Sequence, residues 1–387
     1  MKNNRLQRNV KVMTNVSVPA DAVVVPDAVF DGSRLLTGVG IHVDRDAVAI
    51  VPISKAGRIV RVQGILSPGF FDLQVNGGGG VLFNSDQTKE ALNKIAAAHR
   101  KTGTTKLLPT VITDRPEVTA GAVEAILNTF GDKGICGIHI EGPHISPSRR
   151  GTHKAEFVRP FDQHTFDLVA RLRANDVPTM ITVAPEAVST GQIRSLVGQG
   201  VIVALGHSDA TAIQTQAALS EGAQTFTHLF NAMSPMMNRE PGMTGAAIAS
   251  DAYCSFICDG IHVAPMMLDI AIRARPQRDR MIIVTDAMPT VGGPNTYSLY
   301  GQTISLKDGR LVNSEGALAG AHVTMLESVA FAVRTLSQSP EDALRMAITN
   351  PARLMGCEQD IRLEHTSPCD VILIDRDWGE LTFPFDN

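Results

Sequence analysis

The spacing of hydrophobic positions changes character near residue 69. Between about residue 15 and residue 66, short valine-rich stretches such as DAVVVPDAVFDG, GIHVDRDAVAIV and GRIVRVQGILSPG are broken by glycine and aspartate. That pattern predicts small antiparallel strands joined by tight turns. From residue 69 onward, short apolar runs ending in a polar residue or glycine alternate with longer stretches of helical period, the mark of repeated βα units. The runs are GFFDLQV, KLLPTVIT, CGIHIE, TMITVAPE, VIVALGH, TFTHLFNA, CSFICDG and MIIVTDA, with amphipathic stretches such as KEALNKIAAAHRK and ATAIQTQAALSEGA between them. Eight strands alternating with helices predict an α/β fold, a (β/α)8 TIM-like barrel. Two further helical stretches follow the eighth strand, near AHVTMLESVAFAVRTL and EDALRMAITNPARLMG, and SPCDVILIDRDWGELTF again reads as strand. The simplest arrangement returns this last strand to the first ones. The predicted domains are then residues 1–66 and 358–387, forming one small β-sandwich, and residues 67–357, forming the barrel.

Barrel enzymes carry their reactive groups at the carboxyl ends of the strands, where the loops converge over the open top. Glu141 closes CGIHIE, His207 closes VIVALGH, His228 lies within TFTHLFNA and Asp286 lies at the end of MIIVTDA. A lone strand-end histidine is ordinarily a hydrogen-bonded structural residue, and Glu141 alone could cap a helix. Ligand-type residues ending strands three, five and six together, with an aspartate at strand eight, point instead to a metal. One carboxylate and two imidazoles are a common protein set for a catalytic zinc with a fourth position open to water.

Composition narrows the setting. Lysine and arginine total 35 against 39 acidic residues, a net charge of -4, and no long basic stripe could track a phosphate backbone, so a nucleic-acid partner is not expected. The five cysteines, Cys136, Cys254, Cys258, Cys357 and Cys369, are odd in number, scattered and without a CxxC pair, which fits a reducing cytoplasm. The start, MKNNRLQRNVKVM, is positively charged, but no apolar core follows it before Pro19, and no run approaches the roughly 18 apolar residues that would span a membrane. Neither secretion nor a membrane association is expected.

The segments SPGFFDLQVNGGGG, LLPTVIT, HIEGP followed by RRGTH, ALGHSDAT, THLFNAM, NREPG, CDGIHV and VTDAM resemble, in order and over nearly the whole chain, the N-acetylglucosamine-6-phosphate deacetylases of the amidohydrolase superfamily. The resemblance implies hydrolysis of the acetamide of N-acetylglucosamine 6-phosphate, with Glu141, His207 and His228 holding a metal and Asp286 as the acid/base. Many amidohydrolases carry His-x-His on the first strand for a second metal, whereas this chain has Gln74 and Asn76. Neutral amides are weak zinc ligands, so one tightly held divalent ion per subunit is expected, zinc first, with iron(II), cobalt and manganese compatible with the same ligands. Gln74 and Asn76 read equally well as barrel filling or as groups that orient water.

The same resemblance assigns the substrate contacts. Arg239 and His262 are implied as phosphate ligands, the arginine reaching the active site of a neighbouring subunit in a homodimer. His153 is suited to polarising the acetamide carbonyl. Asn231 and Ala232 follow a metal ligand, and Thr152, Asp259, Leu318, Ala319 and Gly320 occupy positions that line the sugar site. One departure stands out: the family commonly has Leu-Ser-Gly-Ser where this chain has LAGAH, losing two hydroxyls. The galacto epimer of the substrate is therefore a competing expectation. A dihydroorotase-like activity is argued against by Gln74 and Asn76, and a silent sugar-phosphate-binding scaffold by the presence of all four strand-end residues.

Overall fold

The computed structural model describes residues 22–386 apart from 56, 57, 133, 315 and 317. The charged N-terminal stretch and the strand pattern read from residue 15 to residue 21 lie outside the described residues. By its contacts the chain forms two units, one of residues up to Gly69 and from Gln359 onward, the other of Phe70–Glu358.

All eight apolar runs after residue 69 become strands of one parallel sheet, hydrogen-bonded in sequence order. They are β1 (Phe70–Val75), β2 (Thr104–Ile112), β3 (Ile138–Glu141), β4 (Thr179–Val183), β5 (Ile202–Leu205), β6 (Thr225–Phe226), β7 (Tyr253–Ile257) and β8 (Met281–Val284). The two ends of the sheet meet: Asn76 N donates to Ala287 O at 2.9 Å and Asp286 N to Gln74 O at 3.0 Å. The first and last strands are thereby joined just where the chemistry is expected, and the result is the barrel.

Helices follow the strands because the intervening stretches carry one apolar stripe and a start signal. Helix α1 (Lys89–Arg100) buries Leu92, Ile95 and Ala96, and Thr88 caps it by accepting from Ala91 N at 3.2 Å. Helices α2 (Pro116–Leu127), α3 (Gln163–Ala174), α4 (Gln192–Gly198), α5 (Ala212–Ser220), α6 (Gly242–Ala249), α7 (Pro265–Ala274) and α8 (Met325–Arg334) follow, and the second stretch predicted after β8 forms α9 (Pro340–Leu344), a π-helical turn (Arg345–Thr349) and α10 (Asn350–Leu354). Reciprocal capping boxes start α5, through Thr211 and Gln214, and α8, through Thr324 and Glu327.

Between β8 and α8 lies an antiparallel three-stranded sheet, Thr296–Leu299, Gln302–Lys307 and Arg310–Val312, that the hydrophobic rhythm did not predict. Its turns place Tyr300 and Gly301, then Asp308 and Gly309, at positive φ, the backbone of two-residue hairpin turns. Leu299, Ile304 and Leu311 form a separate core with Ile112 and Met288.

In the smaller unit, one sheet runs in the order Ala47–Pro52, Val39–Asp44, Ala22–Val25, Arg58–Arg61, and the other Leu381–Thr382, Val371–Ile374, Ile65–Pro68, Ala28–Phe30, Leu35–Leu36. The C-terminal strand Val371–Ile374 pairs antiparallel with Ile65–Pro68. Val24, Ile41 and Val48 of the first sheet share one core with Val29, Leu66, Val371 and Leu373 of the second. Pairing is not purely antiparallel: Ala22–Val25 runs parallel to Arg58–Arg61, and Ala28–Phe30 parallel to Ile65–Pro68.

One buried carboxyl ties β1 to the end of β8. Asp72 Oδ2 accepts from Thr285 Oγ1 at 2.5 Å, and Oδ1 from Gln74 N at 3.2 Å and Thr285 N at 3.3 Å. Burial pushes the Asp72 carboxyl up to about 7, the hydrogen bonds from Thr285 and Gln74 only partly opposing it. The folded chain therefore holds a proton that the unfolded chain releases near pH 4. Stability from that proton is complete below about pH 4 and is lost as pH rises through about 7. Asp72→Asn cannot titrate, so in denaturant titrations the stability of the variant relative to the parent should improve by up to about 4 kcal/mol between pH 4 and pH 8. A pH-independent difference would contradict this role.

Candidate metal centre and active site

Four strand ends deliver the polar side chains. Glu141 is the last residue of β3; His207, His228 and Asp286 each stand two residues beyond the ends of β5, β6 and β8. His207, His228 and Asp286 adopt positive φ of 46°, 35° and 53°, a left-handed turn that few non-glycine residues accept and that typically costs about 1–3 kcal/mol where it occurs. The turn swings each side chain off its strand and inward over the barrel.

The donors converge on one point. Glu141 Oε1 lies 3.2 Å from His207 Nε2 and 2.9 Å from His228 Nε2, and the two nitrogens are 3.0 Å apart. Donors held tetrahedrally at 2.0–2.1 Å from a zinc ion stand about 3.3 Å apart, so this triangle needs only slight expansion to accept one. His207 Nδ1 is 2.9 Å from the Arg149 carbonyl, which can only accept; Nδ1 therefore carries the ring proton and Nε2 presents its lone pair. His228 Nδ1 is buried without a partner among the described residues. Burial alone would raise the Glu141 carboxyl, but His207 and His228 hold it well below the usual range. The His228 ring is raised because Glu141 outweighs the opposing effect of burial. This cluster of one carboxylate and two imidazoles is able to hold a metal ion.

Asp286 faces the same point and is joined to it by amides. Gln74 Nε2 donates to Glu141 Oε1 at 3.0 Å and to Asp286 Oδ1 at 3.1 Å, and Asn76 Nδ2 donates to Asp286 Oδ1 at 2.6 Å. The amide oxygens of Gln74 and Asn76 are buried without partners among the described residues. Burial first, and then the negative charge of Glu141, push the Asp286 carboxyl up to about 6. The two amides, which the sequence left between filling and function, lie inside the site.

Over this cluster opens a cavity of about 210 Å3. Of the sequence-predicted residues, Glu141, Thr152, His153, His207, His228, Asn231, Ala232, His262, Asp286, Leu318 and Gly320 line it. Arg239, Asp259 and Ala319 do not. Asp259 stands behind His262, its Oδ2 2.7 Å from Nδ1, and despite burial that contact holds its carboxyl low. His262 Nε2 has no partner among the described residues. The Ala319 side chain is buried in the core of the inserted sheet, beside Met288. Arg239 is exposed on the loop between β6 and α6. The remaining wall is Ile112, Gly151, Ile257 and Met288; Ile112 and Met288 are also part of the inserted sheet's core. Their apolar identity carried no functional signal, although Asp308-Gly309 in KDGR could have revealed the sheet.

His153, 3% exposed, packs its ring against His207 with centroids 4.4 Å apart, and Nδ1 is 2.7 Å from Thr113 Oγ1. Burial, then the neighbouring His207, lower its pKa to about 3.

Comparison with known proteins gives one consistent answer. The profile of the Amidohydrolase family matches residues 65–382. An N-acetylgalactosamine-6-phosphate deacetylase of Shewanella sp. (strain ANA-3) is 39% identical over 81% of this chain and 80% of its own length. An N-acetylglucosamine-6-phosphate deacetylase of Haemophilus influenzae is 36% identical over 76% and 77%. The crystal structure of N-acetylglucosamine-6-phosphate deacetylase from Pasteurella multocida superposes with a TM-score of 0.84 at 33% identity, covering 92% of this chain and 96% of that one. With its strand-end carboxylate, imidazoles and aspartate in one barrel, the chain belongs to the amidohydrolase family.

Proposed function

We propose that this enzyme hydrolyses the acetamide of N-acetyl-D-glucosamine 6-phosphate to D-glucosamine 6-phosphate and acetate, in amino-sugar catabolism or recycling. The observation that carries the reading is the meeting of Glu141, His207, His228 and Asp286 within hydrogen-bond reach of one another, or of a shared partner, beneath a single cavity.

Glu141, His207 and His228 are the residues that would hold one divalent ion, zinc first, with iron(II), cobalt and manganese also compatible. Such an ion, when bound, polarises a carbonyl oxygen and makes water acidic enough to act as a nucleophile near neutral pH. A second ion is disfavoured, because Gln74 and Asn76 turn their N–H groups to the carboxylates. Asp286 takes a proton from the attacking water as its oxygen adds to the acetamide carbon. A carboxyl lifted to about 6 is well matched to taking that proton and giving it back. His153 supports the oxyanion of the tetrahedral intermediate. As the C–N bond breaks, Asp286 returns the proton to the departing amine.

Substrate recognition falls to the rim. His262, steadied by Asp259, offers its Nε2, unpartnered among the described residues, to the phosphate, and Thr152, Asn231, Ala232, Leu318 and Gly320 flank the sugar. The LAGAH departure does not remove cavity hydroxyls here, since neither Ala319 nor Ala321 lines the cavity. Arg239 completes the phosphate site from a second copy in a homodimer. The exposed Met236 and Met237, 51% and 62% accessible just before it, suit such an interface. No helix among the described residues is long and apolar enough to cross a membrane, and the scattered cysteines fit the cytoplasm.

The galacto epimer is the second reading, favoured by the 39% identity to the Shewanella relative. Incubation with both N-acetylhexosamine 6-phosphates and the unphosphorylated sugar, followed by acetate measurement, separates the readings. Preferential release from the gluco phosphate is expected; preference for the epimer would transfer the assignment, and indifference to phosphate would remove the recognition scheme. Asp286→Asn should lower kcat by roughly 10^2–10^4-fold. Co-expressing Asp286→Asn with Arg239→Ala, each inactive alone, should restore activity, because a mixed dimer keeps one site with its own Asp286 and the other copy's Arg239. Failure of a verified mixed dimer to recover would place Arg239 outside the neighbouring site.

A further inference from the structure

His153 can assist an oxyanion only if the ring nitrogen that meets the substrate carries a proton, and a residue outside the assigned set decides this. Thr113, the last residue of LLPTVIT, stands one position past the end of β2 and is 1% exposed. Its carbonyl accepts a hydrogen bond from the Tyr300 hydroxyl of the inserted sheet. Its own hydroxyl sits where a Cβ on Gly142 would come within 2.3 Å, so the absence of a side chain at Gly142 makes room for it.

That hydroxyl has one proton and two candidate acceptors. His153 Nδ1 is at 2.7 Å, and the Glu141 carbonyl oxygen is at 3.4 Å. A hydroxyl hydrogen bond is strong near 2.7 Å and weak at the longer distance. A neutral imidazole has one N–H and one lone pair. When Nδ1 accepts from Thr113, the ring proton resides on Nε2, the nitrogen left for a ligand in the cavity that His153 lines. The reverse arrangement would leave the hydroxyl proton only the 3.4 Å contact and would turn the Nε2 lone pair against the lone pairs of an acetamide oxygen.

We infer that Thr113 is a positioning residue that locks His153 in its Nε2–H tautomer, so that this N–H donates to the acetamide oxygen as negative charge develops on it. The inference rests on the deacetylase reading above. It extends to a threonine the logic by which a carboxylate fixes the tautomer of a catalytic histidine.

Two measurements test it separately from that reading. In zinc-loaded protein labelled with 15N-histidine, long-range 1H–15N correlation reports which ring nitrogen is protonated, with the His153 signal identified by its loss in His153→Asn. Nε2–H with bare Nδ1 is expected in the parent and in Thr113→Ser, and loss of that single pattern in Thr113→Val. A parent ring protonated on Nδ1, or on both nitrogens, would overturn the inference. With the acetylated sugar phosphate, Thr113→Val should lose about tenfold to a hundredfold in kcat at unchanged KM and metal content, and Thr113→Ser should retain most of the parental rate. Parental kcat in a folded Thr113→Val would equally overturn it. If Thr113→Val does not fold, the parent spectrum and the serine variant decide. A locked Nε2–H ring in a protein that releases no acetate would retain the tautomer assignment while removing the deacetylase reading.

Discussion

One carboxylate oxygen organises this site. Glu141 Oε1 is reached by Gln74 from β1, by His207 beyond β5 and by His228 beyond β6, at 3.0, 3.2 and 2.9 Å. The ends of β3, β5 and β6 must therefore lie at one height, and the barrel's register makes them do so: Glu141 pairs with Thr182, Thr182 with Ala204 and Ala204 with Thr225. Closure of the ring through Gln74 and Asp286 brings the fourth polar group to the same level. Left-handed backbone at His207, His228 and Asp286 is tolerated because the ladder on either side over-determines it.

The same closure sets the electrostatics. Asp72, buried, and Asp286, half-buried, stand at the seam between β1 and β8, and both carboxyls are lifted, for Asp286 against the opposing charges of His228 and His262. Asp72 binds the strands together, while Asp286 faces the cavity. Glu141 is driven the other way by its imidazoles. Two carboxylates a few ångströms apart are thus separated in acidity, one suited to holding charge and the other to moving a proton.

The barrel was legible because eight apolar runs alternate with helical stripes, and the meeting of Glu141, His207 and His228 because their residue types end those runs. The inserted sheet was not, since its short, half-exposed strands interrupt the strand–helix rhythm and Asp308-Gly309 is their clearest turn signal. The role of Gln74 and Asn76 was hidden for another reason: alternation places both inside the barrel, but only the structure shows their N–H groups turned to carboxylates. Leu318 and Ala319 are adjacent in sequence, yet one lines the cavity and the other fills a core. Arg239 is legible only as an exposed cation, and the role proposed for it needs a second copy of the chain.

The proposed chemistry depends on the Glu141, His207 and His228 cluster being a metal centre for a single ion. Elemental analysis of protein purified without chelator, beside Glu141→Gln and His207→Asn variants, tests this directly. One equivalent of a divalent metal in the parent and a marked loss in both variants is the predicted result. A parent that binds none, variants that retain the full equivalent, or two equivalents per chain would contradict it.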